Sequence, residues 1–389
     1  MMRLIQPIFG VLLCIAASNS AWAAVFCFAM NGFPRIDTVQ LSPPAISAGA
    51  DVPVGTMVYQ GQWVSGSTGS PAVNCTSPVD LSIWINIAWG IERAPMPLTN
   101  WSGSPFGGAV YQTNIPGIGI AISRGNSSNA TKLGQPFYEF PNDVERPVAG
   151  GEHHIPLSSR TLYVSLIKIG AIIPGSYTLD AASLPEAYMS LANPLMHPTN
   201  PGLPIKVYHV QFQGQLTVSA QTCTTPDVNV NLGRFDTQQY FTGRGATTPW
   251  VDASITLTNC PTFYGFYNAA NSTVMFDYGT GTGLVANSTN NRIGVRLTPT
   301  ALVIDAANGI MAIDSTVSEA ASGVGIQVGW GSSSQTPELF NFSAEQTIVL
   351  SKDGSPTIRV PLAVRYIQIE NNVSPGKANG KVVFTISYY

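Results

Sequence analysis

Residues 81–89 read LSIWINIAW, with apolar residues at every second position and Ser82 and Asn86 among those between them. A period of two over nine residues is typical of a β-strand with one buried face, because successive side chains point to opposite faces. Trp84 stands on the face opposite the isoleucines, so its ring is either exposed or covered by another strand. This stretch predicts a sheet rather than a helix.

The same alternation recurs in five further segments, and turn residues separate them. These segments are 118–122, 251–258, 324–330, 358–366 and 382–388. Because the chain also contains 37 Gly and 29 Pro, it has the turn residues that antiparallel sheets need. We predict an all-β fold of two β-sandwich domains, with short helical turns only at 184–191 and 318–322.

The composition excludes several classes of protein. Of 389 residues, 44% are hydrophobic and only 10% are charged, so the low charge does not indicate disorder. The net charge is −3, with no basic surplus that would attract nucleic acid or an anionic membrane. We therefore expect a globular protein with no nucleic-acid partner.

The beginning of the chain is typical of a secretory signal peptide. Arg3 gives a basic start, residues 8–17 form an apolar run, and residues 21–23 read AWA. The run is too short to span a bilayer. We predict a signal peptide over residues 1–23 and export of the remainder.

The cysteines fit an oxidising compartment. Of five cysteines, Cys14 lies in the predicted signal peptide and four remain. An even number in an exported chain indicates disulfides, and three pairings are possible. Because two cysteines lie early and two late, we predict the local pairs Cys27–Cys75 and Cys223–Cys260. No CxxC spacing supports zinc, so no metal and no cofactor are expected.

The chain divides into two parts of similar length. Residues 193–204 contain four prolines, and a strand pattern resumes after them. We read this stretch as a surface loop late in the first part and predict domains over residues 24–215 and 216–389.

The second part carries an ordered series of motifs. Cys223 precedes an alternating stretch at 228–232, and the second cysteine ends the strand-like sequence ITLTNC at 255–260. Residues 323–328 read GVGIQV, and 375–389 combine a glycine-containing turn, an alternating strand and a penultimate tyrosine. This series resembles the pilin domain of chaperone–usher fimbriae.

The resemblance implies an immunoglobulin-like sandwich that lacks its last strand. A periplasmic fimbrial chaperone would lend that strand first, and an adjacent fimbrial subunit would replace it during assembly at the outer-membrane usher. The side chains that would line the resulting groove are Val382, Phe384, Ile386 and Tyr388. The alternative is that these four residues are the ordinary core of a complete sandwich.

The first part also resembles a known group, the two-domain tip adhesins of such fimbriae. Residues 110–119 and 168–175 look like stretches of their N-terminal domain. The resemblance implies a lectin-like sandwich that binds a host glycan or matrix receptor at the fimbrial tip. A subunit with such a domain and no free N-terminal arm would accept a strand without donating one.

Receptor residues are predicted from chemistry, because sugars offer apolar faces and hydroxyls to aromatic and polar side chains. Loop context favours five residues as the binding set: Trp101, Tyr138, Asn142, Asp143 and Arg146. A core position is the competing interpretation for each tryptophan, and a solvated turn is the competing interpretation for residues 139–146.

Two other functions stay open. The first is a minor or adaptor fimbrial subunit whose first domain binds nothing. The second is a secreted carbohydrate-active enzyme, which needs two carboxylates across a cleft. Asp143 and Glu145 lie on one side of a single segment, and there is no HExxH, GxSxG or P-loop motif, so we expect no enzyme.

Overall fold

A computed structural model describes residues 25–65, 71–157 and 159–389, and its regular secondary structure is almost entirely β-strand. The predicted signal peptide lies outside the described residues. No helix in the described part of the chain is long and apolar enough to cross a membrane.

The strands of the first part run from residue 26 to residue 219. They are β1 Phe26–Ala29, β2 Arg35–Gln40, β3 Ala45–Ser47, β4 Met57–Val64, β5 Pro71–Ser77, β6 Leu81–Arg93, β7 Tyr111–Gln112, β8 Ile118–Ser123, β9 Phe137–Tyr138, β10 Val144–Val148, β11 Gly151–Pro156, β12 Thr161–Lys168, β13 Ser176–Asp180, β14 Glu186–Ala192, β15 Ile205–Gln213 and β16 Gln215–Ser219. A 3₁₀ turn spans Ala181–Ser183.

The strands of the second part run from residue 251 to residue 388. They are β17 Val251–Asp252, β18 Ile255–Leu257, β19 Thr273–Asp277, β20 Thr282–Leu284, β21 Arg292–Pro299, β22 Val303–Asp305, β23 Ile310–Ala312, β24 Val324–Trp330, β25 Glu338–Leu339, β26 Gln346–Val349, β27 Ile358–Val360, β28 Leu362–Gln368 and β29 Val382–Tyr388. One short helix, α1, spans Thr237–Tyr240 and is capped by Asp236.

Two large sheets enclose the core of the first part. One has the order β10-β6-β14-β15-β2, with β9 also on β6, and the other contains β4-β12-β8-β7. Their facing side chains form one buried cluster that includes Trp63, Trp89 and the isoleucines of β6 and β8. The predicted disulfide Cys27–Cys75 is confirmed and ties β1 to β5.

The second part has its own core, between the sheet β17-β28-β24-β23-β22 and the sheet β26-β21-β29. The predicted disulfide Cys223–Cys260 is confirmed at the start of this part. Core membership changes between Ala220, in the first core, and Cys223, in the second.

A hairpin crosses between the two parts. Strands β19 and β20 belong to the second part by sequence, but β19 pairs in parallel with β4 and extends the sheet of the first part. Met275 of this hairpin lies in the first core. Strands from the two sides of the predicted boundary between residues 215 and 216 are therefore paired in one sheet.

The short helices predicted at 184–191 and 318–322 are wrong. Residues 186–192 form β14, which lies between β6 and β15, and residues 318–322 form turns and bridges. Sheet pairing on both sides overrides the weak helical tendency of a segment with only one turn's worth of pattern. The proline-rich stretch is a loop between β14 and β15.

Candidate functional site

Strand β29 has one sheet neighbour within the described part of the chain. It pairs antiparallel with β21, from Ile293 opposite Tyr388 to Pro299 opposite Val382. Arg292 and Tyr389 exchange both backbone hydrogen bonds, at 3.0 and 2.8 Å. In an antiparallel pair such positions alternate with positions whose backbone groups point away.

This alternation decides which groups of β29 lie on its free edge. The N–H and C=O groups of Val382, Phe384, Ile386 and Tyr388 point away from β21. The side chains of the first three are half-buried and pack against the second core. Among residues 25–65, 71–157 and 159–389, no backbone group pairs with Val382, Phe384 or Ile386 on this edge, and each of the three has a half-covered apolar side chain.

The segment after Cys223 flanks this edge without closing it. Beyond a bridge between Thr224 and Thr258, residues 225–236 form no strand. Val228 is 37% exposed, and Val230 packs only partly on the core. The Cys223 N–H donates to the Tyr388 hydroxyl at 3.0 Å and fixes one end of the gap.

A second site forms in the first part around Asp143. The Asp143 carboxylate is buried and accepts hydrogen bonds from the Asn86 amide at 2.9 Å and from the backbone N–H groups of Leu195 and Met196 at 2.8 Å each. His197 Nδ1 lies 3.0 Å from the same carboxylate. Burial raises the pKa of Asp143, but these hydrogen bonds outweigh it and hold the pKa well below its usual range.

The Asp143 contacts place an aromatic pair at the surface. The His197 ring stacks on Trp84 with centroids 3.8 Å apart and planes within 2°. Asn200 donates to the Trp84 carbonyl at 2.7 Å and holds the same loop against β6. Trp84 remains partly exposed, beside exposed Leu195 and Met196.

We call the solvent side of β6 and its neighbours the outer face. Residues paired across strands share a face, so Glu145 lies with Trp84, Tyr138 with Ala88, and Tyr188 with Gly90. The Tyr188 ring lies directly against Gly90, where a Cβ atom would clash with it. Lys206 Nζ lies 4.6 Å from the centre of that ring. The outer face therefore carries three aromatic side chains over small residues.

The structure separates the five predicted receptor residues. Tyr138 is half-buried on the outer face, Asn142 is exposed in the adjoining loop, and Asp143 is buried below it. Arg146 pairs with Ile83 and so belongs to the opposite face of the sheet.

Trp101 lies apart from the other four. Its indole donates to the Pro105 carbonyl at 2.9 Å and covers Gly103 and Gly55. The Gly55 N–H donates to the carbonyl of Lys168, the last residue of β12, so Trp101 lies near that end of the strand. Arg160 immediately precedes the first residue of β12 and contacts Glu139, beside the outer-face loop. Eight residues of strand span roughly 23 Å, so Trp101 does not join the outer face.

Sequence reasoning missed His197 and Tyr188 as members of this site. His197 lies in a proline-rich loop with no periodicity, and its position depends on Asp143, over 50 residues away. The alternation of β6 did place Trp84 on the face opposite the isoleucines.

The described residues contain no group of three or more His, Cys, Asp or Glu side chains placed to hold a metal. Glu139 is held between Arg124 and Arg160, at 3.4 and 3.3 Å, and accepts from the Trp89 indole at 3.2 Å. Its carboxylate is thus committed to internal contacts.

A family model matches the second part of the chain. The family model described as "Fimbrial protein" matches residues 210–389. No curated protein sequence matches the chain.

Three solved structures resemble the chain weakly. The CupB6 tip adhesin from Pseudomonas aeruginosa is 14% identical, with 94% of this chain and 95% of that chain covered and a TM-score of 0.35. The receptor binding domain of the adhesin MrkD1P of Klebsiella pneumoniae is 14% identical, with 52% and 99% covered and a TM-score of 0.29. The CsuC–CsuE chaperone–tip subunit complex of Acinetobacter baumannii is 13% identical, with 93% and 99% covered and a TM-score of 0.27. Because all three TM-scores are below 0.5, no conclusion rests on these likenesses.

Proposed function

We propose, from the premise that residues 210–389 are a fimbrial protein domain, that this chain is the tip adhesin of a chaperone–usher fimbria. It accepts a strand from another polypeptide along β29, and its first part binds a host glycan. The observation that carries the proposal is the open edge of β29, with unpaired backbone groups beside half-covered Val382, Phe384 and Ile386.

An extended segment with alternating apolar residues is the occupant that this edge favours. It would satisfy the free N–H and C=O groups of β29 and cover the three apolar side chains at the same time. Left open, such an edge would promote aggregation. A periplasmic chaperone supplies the strand first, and an adjacent subunit supplies it in the fibre at the outer-membrane usher.

The tip position follows from the way β1 is held. Phe26–Ala29 pair with β5, and Cys27 is disulfide-bonded within that pair. A segment tied down in this way does not serve as a free arm for a neighbouring subunit. This pairing supports a subunit that accepts a strand and caps the tip of the fibre, at the end farthest from the cell.

The outer face is the receptor site that its chemistry favours. Tyr138, Tyr188 and the Trp84–His197 stack offer flat apolar rings, and Glu145 and Lys206 add polar groups at the sides. Rings of this kind suit the C–H faces of sugars, while the polar groups suit hydroxyls. Asn142, in the adjoining loop, belongs to the same proposed site.

The strand-accepting role is tested by coexpressing the full-length chain with a fimbrial chaperone. Phe384→Asp places a charge in the groove and should abolish recovery of the complex from the periplasm. Thr385→Asp is the matched control, because Thr385 is exposed and its backbone is bonded to β21. Equal recovery of the two variants would contradict the proposal.

The receptor role is tested with the chaperone-bound full-length chain on a glycan array. Tyr138→Ala and Trp84→Ala should each weaken binding about tenfold or more, because each removes an aromatic contact. Phe26→Ala is the control, since Phe26 is an exposed aromatic residue on a different sheet. Absence of binding to any glycan or matrix protein would favour a non-binding adaptor subunit instead.

A further inference from the structure

A loop of the first part meets the open edge of β29 at one end. This loop, Gly49–Asp51, follows β3 and lies against Tyr388, the last residue of β29. The Asp51 N–H donates to the Tyr388 carbonyl at 3.0 Å. The Tyr388 N–H donates to Asp51 Oδ2 at 2.8 Å.

These two hydrogen bonds satisfy the same N–H and C=O groups of Tyr388 that a neighbouring strand would pair with. Tyr388 directs both backbone groups toward the free edge, as Val382, Phe384 and Ile386 do. At Tyr388 a single residue already satisfies both groups, one with its backbone and one with its carboxylate. An added strand cannot pair with Tyr388 while Asp51 stays in place.

The loop is fixed by contacts on both sides. Ala48 N–H donates to the Ser219 carbonyl at 2.8 Å, and the buried Lys168 ammonium donates to the Ala50 carbonyl. Gly49 lies so close to the Tyr388 carbonyl that a Cβ atom would clash with it. Moving Asp51 out of the edge would therefore break contacts with two other elements.

We infer that Asp51 is the end stop of the strand-accepting edge. It limits an inserted strand to the stretch from Val382 to Ile386 and so sets where that strand ends. This inference rests on the proposed function, because it concerns the same edge. Asp51 belongs to the first part of the chain, so a residue outside the second sandwich helps to define the register of the donated strand.

The test uses full-length chain refolded in the presence of synthetic peptides. The reference peptide has seven residues with valine at three alternate positions, to match the three free residues of β29. Each of two longer peptides carries two further threonines. One peptide has both of them at its N-terminus, and the other has both at its C-terminus. This pair covers both possible strand directions, and the dissociation rate of each peptide is measured.

In the native chain, the extension that passes Tyr388 should leave the dissociation rate unchanged. In Asp51→Ala the same extension should slow dissociation about tenfold, because the Tyr388 N–H loses its carboxylate acceptor and becomes available for one backbone hydrogen bond to the peptide. Asp51→Asn keeps an oxygen that accepts from the Tyr388 N–H and should behave as the native chain. An extension that acts equally in the native chain and in Asp51→Ala overturns the end stop.

Hydrogen exchange gives a readout that does not depend on the variants. With the seven-residue peptide bound to the native chain, the Tyr388 amide should be as protected as the Ile386 amide, although the peptide ends before it. Fast exchange at Tyr388 in that complex overturns the end stop alone. Failure of every peptide to bind the native chain instead removes the proposed function, and the end stop with it.

Discussion

Asp143 supports the outer face through the contacts of its buried carboxylate. Its carboxylate accepts from two backbone N–H groups and from Asn86, and it holds His197 against Trp84. A buried carboxylate with this many donors stays charged at physiological pH, which is why its pKa lies below the ordinary value. The residue therefore shapes the candidate receptor surface from below, rather than by contact with a ligand.

Asp143→Asn should lower the free energy of unfolding by about 2 kcal/mol at pH 7, because the charged acceptor is lost. A carboxyl group whose folded pKa is depressed stabilises the fold above its unfolded pKa, near 4, and this stabilisation disappears as the pH falls toward the folded pKa. The stabilisation that the charged Asp143 carboxylate provides should thus be present at pH 7 and shrink as the pH falls below about 4. Urea unfolding of the chaperone-bound native chain and variant at pH 7 and at about pH 3 measures this loss, and a difference between the two proteins that is undiminished at about pH 3 would contradict this role.

At the scale of strands, the period-two pattern predicted the main strand of each candidate site. β6 and β29 appear where residues 81–89 and 382–388 alternate, because a buried face imposes that pattern on the sequence. The hairpin of β19 and β20 was not predicted. Its pairing with β4 joins residues about 210 positions apart, and no local pattern encodes such a partner.

The disulfide Cys223–Cys260 lies beside the same end of the open edge of β29 as Asp51, because both Cys223 and Asp51 are hydrogen-bonded to Tyr388. It fixes the residue whose N–H donates to Tyr388, while residues 225–236 have no sheet pairing of their own. Removing it by Cys223→Ser with Cys260→Ser frees a loop with a sequence separation of 37 residues. The chain-entropy model gives a loss of about 4 kcal/mol for a loop of this size.

Denaturant unfolding of the chaperone-bound chain measures that loss, with Cys27→Ser and Cys75→Ser as the matched pair. The first double variant should also release the chaperone at lower denaturant concentration than the second, because only Cys223 borders β29. Release of the chaperone at the same denaturant concentration from both double variants would show that the Cys223–Cys260 disulfide does not support the groove.

At the scale of the whole molecule, the two parts are joined by more than a linker. Besides the pairing of β19 with β4, Arg35 lies 3.5 Å from the centre of the Tyr278 ring. The Asp51 contact with Tyr388 is a further connection between the two parts. A pulling force applied to β29 would therefore be transmitted to the sheet that packs against the outer-face sheet.

This connection predicts that a change in the second part of the sequence weakens the first sandwich. Met275 belongs to the hairpin but packs in the first core, whereas Met311 packs in the second part. Replacing either buried methionine by alanine costs about 3 kcal/mol through lost packing. Because that cost falls on the elements around the cavity, the two variants should loosen different strands.

Hydrogen exchange resolved by strand distinguishes them in the chaperone-bound chain. Met275→Ala should speed exchange in β4 and β12 of the first part, and Met311→Ala should speed it in β24 and β28 of the second. The pairing of β19 with β4 makes the first effect reach β12, which is hydrogen-bonded to β4 along its length. If Met275→Ala left β4 and β12 as protected as in the native chain, the hairpin would be an appendage and the two sandwiches would be mechanically independent at this joint.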